Sequence, residues 1–245
     1  MKNFNIYIRT LFILACLLVC TNVICQQKTV IYCFPGQGSD ARIFDSIQVD
    51  TALFELVFVE YGTPEKWMNM QDFAYSLINE LDTLNRYVLL GVSLGGMICA
   101  ELNENLNPWK TILISSAKNR NELPVRYKFQ KTIPLYQLFP KGFLLVGAKI
   151  MQPLVEPDRK KNKDTFKSML SEKNAAYMKR TIHLIIKWER ENNMKKIYQI
   201  HGDNDHTLPI RKIKNPDFIV ENGSHMMTLT RGVDVSCILN QILSE

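Results

Sequence analysis

The sequence predicts an α/β fold: a parallel sheet of about six strands, helices on both faces, and a helical insertion over one edge. Three observations predict it. Apolar runs of strand length alternate with segments of helical spacing along most of the chain. The polar, glycine-bearing loops follow strands. One stretch, Gly91-Val92-Ser93-Leu94-Gly95, sets a serine between a strand and a helix, with a glycine two residues to either side.

Composition bounds the rest. The chain has 245 residues, 46% hydrophobic and 22% charged, which suits one globular domain with a sizeable core. A net charge of +6 is moderate. No helix-turn-helix pattern, zinc-finger spacing or basic–aromatic interleaving is present, so nucleic acid is excluded as a partner. The six cysteines are scattered with no C-x-x-C pair, which predicts buried, reduced thiols.

Residues 1–25 carry Lys2 and Arg9 as their only charges, around the apolar run 11–19. They predict a signal peptide or N-terminal anchor, hence an exported protein. Residues 29–34 read as a buried strand, and Pro35-Gly36-Gln37-Gly38-Ser39-Asp40 as the loop after it. Residues 41–48 can form a helix with Ile43, Phe44 and Ile47 inward. A second strand follows at 54–61, broken by Thr63-Pro64. Phe73, Leu77, Leu81 and Leu84 share one face of a helix over 70–84. The strand 87–92 enters the Ser93 turn. Met97, Ile98, Ala100 and Leu102 continue it as a helix, and 111–115 is the next strand.

From 118 to about 173 the rhythm changes. Prolines recur, and residues 118–163 hold eleven Lys or Arg against three Asp or Glu. This is a cap insertion. Its apolar stretches, 133–139 and 143–146, predict the lining of an acyl pocket. Its basic residues predict a positive rim that favours anionic substrates or contact with an anionic membrane surface. A helix over 174–190 restores the alternation. A strand over 197–200 ends in His201-Gly202-Asp203-Asn204-Asp205. A strand over 218–220 leads to Gly223-Ser224-His225, and a helix over 233–243 closes the chain.

Right-handed crossovers put all strand C-termini on one edge, where open α/β sheets bind ligands. The loops bearing Gln37, Ser93, Asp205 and His225 therefore converge. A serine hydroxyl becomes a nucleophile only beside a base, and the base needs an orienting acid. Of the histidines after Ser93, His183 lies in an apolar helical context, and His201 suits a backbone hydrogen bond. His206 points away from the acid. His225 follows the last strand at the right edge and is the base. Asp203 and Asp205 both leave one strand, and either can be the acid. The oxyanion of acyl transfer needs two N–H donors. These are Leu94, at the helix start, and Gln37, in the loop after the first strand. The run His201-x-Asp203-x-Asp205-His206 lacks the ligand pattern of a metallohydrolase, so no metal is expected.

With these residues in view, the chain resembles the α/β-hydrolase superfamily across nearly its whole length past residue 25. The matching motifs are Pro35-Gly36-Gln37-Gly38, Gly91-Val92-Ser93-Leu94-Gly95-Gly96, His201-Gly202-Asp203-Asn204-Asp205 with Pro209, and Gly223-Ser224-His225. The resemblance places the acid on Asp205. It implies one α/β-hydrolase domain over 26–245, with the cap at about 118–173 and no cofactor. Two departures stand out: Pro35 occupies the place of a common His, and the two strands that often begin the fold are missing. The implied activity is hydrolysis of a carboxylic ester or thioester of a small-molecule acyl substrate. Acyl transfer on the same triad, or a non-catalytic binding scaffold, are the alternatives. Substrate identity does not follow from the fold.

Overall fold

The computed structural model describes residues 27–138 and 162–245. The export segment 1–25 and the apolar stretch 143–146 lie outside these residues. Six strands form one parallel sheet: β1 (Thr29–Phe34), β2 (Phe54–Phe58), β3 (Tyr87–Val92), β4 (Lys110–Ile114), β5 (Tyr198–Gly202) and β6 (Phe218–Val220). Their order is β2-β1-β3-β4-β5-β6. The chain runs outward from β1 to β2, then returns to place β3 on the other side of β1. The switch point therefore lies between β1 and β3, where a crevice opens at the strand C-termini.

Both faces of the sheet are covered at its centre, so β3 is buried along its whole length and β1 over its last four residues. The period-2 pleat still sorts their side chains. Tyr32 and Phe34 of β1 join one core with Leu89, Leu94, Ile98 and Leu102, whereas Ile31 and Cys33 join the opposite core with Val88, Leu90 and Leu239. Each fully buried Leu, Ile or Phe contributes about 1.5–3 kcal/mol relative to exposure. The first core is roofed by α1 (Met70–Ser76) and α2 (Leu94–Asn105), the second by α8 (Gly232–Ser244) and a 3-10 turn at Ala41–Phe44. Between β4 and β5 come α3 (Val125–Thr132), α4 (Leu135–Leu138), α5 (Lys163–Ser171) and α6 (Ala175–Lys187); the short α7 (Met227–Thr230) precedes α8. Among the described residues no helix is long and apolar enough to cross a membrane.

Several expectations are corrected. The helix expected over 70–84 ends at Ser76, passes into a 3-10 turn at Ile78–Glu80, and leaves Leu84 95% exposed. Asp82 accounts for this. Its carboxylate accepts from Leu84 N–H and its own N–H donates to Tyr32 Oη, turning the chain away. The strand expected to reach residue 61 stops at Phe58, because β1, its pairing partner, stops at Phe34. Cys33 and Cys99 are buried thiols as expected, but Cys237 lies on the outer face of α8 and is exposed.

Candidate active site

The turn after β3 carries strained backbone at the sheet edge. Ser93 sits at φ 53°, ψ −117°, outside the regions an L-residue prefers. Two glycines make the turn possible. A Cβ on Gly91 would stand 2.5 Å from the Gly95 carbonyl, and a Cβ on Gly95 would collide with the backbone carbonyl of Phe34. Hydrogen bonds over-determine the strained residue: Ser93 N–H donates to the Ile114 carbonyl at 3.0 Å, and Ser116 Oγ donates to the Ser93 carbonyl at 2.6 Å.

The strain aims the hydroxyl at histidine. Ser93 Oγ lies 2.9 Å from His225 Nε2, and His225 Nδ1 lies 2.8 Å from Asp205 Oδ2. With a proton on Nδ1, the imidazole donates to the carboxylate and accepts from the serine. The other oxygen, Asp205 Oδ1, accepts from Thr207 N–H at 2.8 Å and Leu208 N–H at 2.7 Å. Burial pushes this carboxyl upward. His225 and His201 beside it, together with the Leu208 N–H, outweigh burial and hold it below the ordinary aspartate range. Asp205 is thus an anion locked in place. Asp203 is exposed and takes no part.

The two expected oxyanion donors flank Ser93. Among the described residues neither Gln37 N–H nor Leu94 N–H has an acceptor. The Gln37 loop is held by its side chain, which donates to Thr181 Oγ1 at 2.7 Å and to the Met178 carbonyl at 3.3 Å, both on α6. Tyr61 steadies the same loop from the other side, its hydroxyl donating to the Pro35 carbonyl. Burial raises the Tyr61 phenol well above its ordinary value, so it stays a donor. Nothing in the local sequence flagged Thr181 or Tyr61. Both act across more than 25 positions, and that pairing is set by the fold.

The other histidines have separate partners. His201 is buried and its Nε2 donates to the Leu208 carbonyl at 2.7 Å. Burial lowers its pKa despite the Asp205 charge, so it is neutral. His183 Nδ1 bonds Tyr136 Oη at 2.6 Å on α4. His206 was expected to point away. It bonds Asn204 Oδ1 at 3.0 Å and stands at the mouth of the Ser93 pocket.

That pocket has a volume of about 440 Å3. Its apolar wall is Met97, Phe166, Met169, Leu170, Met178 and Ile185, on α2, α5 and α6. Of the stretch 133–139, expected to line it, residues 133–138 are described and none of them lines it. Ile133, Leu135 and Leu138 are exposed on its outer side, with α4 turned toward α6 through the Tyr136–His183 bond. Residues to Ile185 share the wall, beyond the expected limit of 173. The segment after α6 is tied back to α2, because Glu101 accepts from Trp188 Nε1 at 2.6 Å and from Arg190 Nη2 at 2.7 Å.

No family model matches the sequence, and neither does any curated protein. Solved structures do match the fold. A carboxylesterase of the ammonia-oxidising thaumarchaeon Nitrososphaera gargenis superposes with a TM-score of 0.66 at 14% identity, covering 89% of this chain and 91% of its own. The enol-lactonase of Burkholderia xenovorans gives 0.64 at 12% identity, covering 89% and 92%. A thermophilic esterase of Thermogutta terrifontis, solved with malate bound, gives 0.64 at 15% identity, covering 89% and 90%. Similarity at these identities is similarity of fold. With its six-stranded parallel sheet, its switch point at β1 and β3 and its serine on the turn after β3, the chain has the α/β-hydrolase fold.

Proposed function

We propose that this protein hydrolyses a carboxylic ester or thioester through an acyl-enzyme on Ser93. The observation that carries the reading is the relay Ser93–His225–Asp205 at hydrogen-bond distances, opening onto an apolar pocket beside two unpaired N–H groups. Ser93 Oγ attacks the carbonyl carbon as its proton passes to His225 Nε2. The carbonyl oxygen becomes an oxyanion and receives the N–H groups of Gln37 and Leu94. Asp205 stabilises the imidazolium without accepting its proton. His225 then protonates the leaving oxygen or sulfur, and the bond to the acyl carbon breaks. Water enters, gives a proton to His225 and attacks the acyl carbon; His225 then returns that proton to Ser93 Oγ as the acyl carbon–oxygen bond breaks, releasing the acid. Esterases and a lactonase among proteins of the same fold support this reaction class.

The test is turnover of p-nitrophenyl butyrate by the wild type and by Ser93→Ala. The expected loss is on the order of 10³-fold or more, with unchanged circular dichroism. A variant retaining a tenth of the wild-type rate contradicts the reading. Added alcohols or amines that divert the acyl group from water would make acyl transfer the activity instead.

A further inference from the structure

The relay faces a pocket with one permanent charge in its described lining, and that charge is positive. Among the described residues no Asp or Glu lines it, and Asp205 is sealed behind His225. The charge belongs to Arg126, in the first turn of α3. Its guanidinium is held in place: Nη2 donates to the Thr207 carbonyl, and the group lies 5.1 Å from the centre of the Tyr127 ring. Among the described residues it pairs with no carboxylate, and its Nε and Nη1 make no hydrogen bond. A guanidinium fixed at one corner, with its other donors free, is a fork suited to a planar carboxylate.

Its position in the pocket is also defined. Thr207, its anchor, donates through N–H to Asp205 Oδ1, so Arg126 belongs to the acid–base side. The Gln37 loop is held instead by Thr181 and Met178 of α6. His225 is the group that protonates the leaving atom, so a substrate's alcohol half lies toward Arg126 and its acyl half toward the apolar wall. We infer that Arg126 forms an anion subsite that receives a carboxylate carried on the alcohol half of the substrate. This rests on the hydrolase reading and narrows it to esters with an apolar acyl group and an anionic leaving group.

The experiment has a kinetic arm and a binding arm. The kinetic arm compares kcat/KM for 4-(butyryloxy)benzoate and its neutral methyl ester, and separately for the monophenyl ester of glutaric acid and phenyl butyrate. Wild type and Arg126→Gln are measured on both pairs. In the first pair the anionic-to-neutral ratio should fall about tenfold in Arg126→Gln, the lower end for a charge-assisted hydrogen bond because Arg126 is exposed. The change should appear in KM. Arg126→Lys should recover part of it, and the ratio should decline with salt. The acyl-side pair should keep its ratio. An unchanged first ratio, or a fall only in the second pair, overturns the subsite. The binding arm titrates 4-hydroxybenzoate into Ser93→Ala with and without Arg126→Gln, and expects about tenfold weaker binding in the double variant. It needs no turnover. If the wild type hydrolyses none of the esters, the hydrolase reading fails, while equal binding by the two proteins removes the subsite by itself.

Discussion

Two regions meet at the Ser93 pocket, and their side chains are held on different terms. At the sheet edge, every residue of β3 is buried, Ser93 is bonded on both backbone sides, and both Asp205 oxygens are occupied. Across the pocket, α3 has no buried residue, and Val125, Phe129 and Ile133 are roughly half exposed or more. The layer from α3 to α6 is held unevenly: Phe166 and Met169 of α5 and Leu184 and Ile185 of α6 are buried in the two cores, whereas α3 reaches the edge through Arg126 on Thr207. The edge holds the relay geometry, and α3 can change its lining residues without disturbing it. The division fits a fold that keeps its chemistry on the scaffold and its selectivity on an insertion.

The comparison can be broken first at the edge. Asp205→Asn keeps the shape of the acid but fixes the imidazole in the wrong tautomer, so kcat on p-nitrophenyl butyrate should fall about 10³- to 10⁴-fold. Asp203→Asn, at an exposed position, should change it less than about threefold. Equal losses would mean that Asp205 is not the acid.

A second pair sharpens the contrast within the layer. Phe166 is buried against the sheet-side core at 2% exposure, whereas Phe129 is 51% exposed. Phe166→Ala should cost about 3 kcal/mol in urea unfolding, and Phe129→Ala should stay within about 0.5 kcal/mol. Comparable costs would show that the outer face of the layer is covered in solution.

Thr181 joins the two regions. Thr181→Val keeps the side-chain shape but removes the closer acceptor for Gln37 Nε2, leaving the Met178 carbonyl at 3.3 Å, and so loosens the Gln37 loop. Thr181 is a positioning residue, so kcat should drop about tenfold with KM nearly constant, short of the loss from deleting a donor. Thr181→Ser should restore it. A loss confined to KM would make Thr181 part of the binding wall.

How far the sequence was legible follows the same line. The Ser93 turn, the acid loop and the His225 loop are local signals: strand ends, glycines and polar residues within ten positions. The structure brings all of them together. The parallel sheet and its common edge follow from alternation and handedness, whereas the order β2-β1-β3-β4-β5-β6 is seen only in the structure. The side chains that hold the loops in place, Tyr61, Ser116 and Thr181, are common residues in unmarked contexts whose partners are chosen only on folding. Helix ends such as Ser76 were obscured because Leu84 kept the apolar spacing while Asp82 turned the chain. Arg126 was visible only as one member of a basic stretch. Its isolation from carboxylates is a property of three dimensions.

The smallest effect is on stability against pH. Burial lowers the His201 pKa in the folded state, so the native protein favours neutral imidazole. That stability is present above the unfolded value of about 6.5 and is lost as pH falls from there toward the folded value. Asp205 is also lowered, and its contribution disappears below about 3.9, as pH falls toward its folded value. The urea midpoint should therefore decline in two stages on acidification, and His201→Asn should shrink the upper one, to which His183, also lowered by burial, still contributes. A midpoint flat between pH 7 and 5 would contradict the neutral, buried His201.

The central claim is that Ser93 is the nucleophile of the pre-organised edge. The most direct measurement is intact-protein and peptide mass spectrometry after treatment with a fluorophosphonate. The account predicts a single adduct mapped to Ser93, lost in Ser93→Ala and slowed about 10³-fold or more in Asp205→Asn. No adduct on folded protein, or an adduct on a residue other than Ser93, would contradict it.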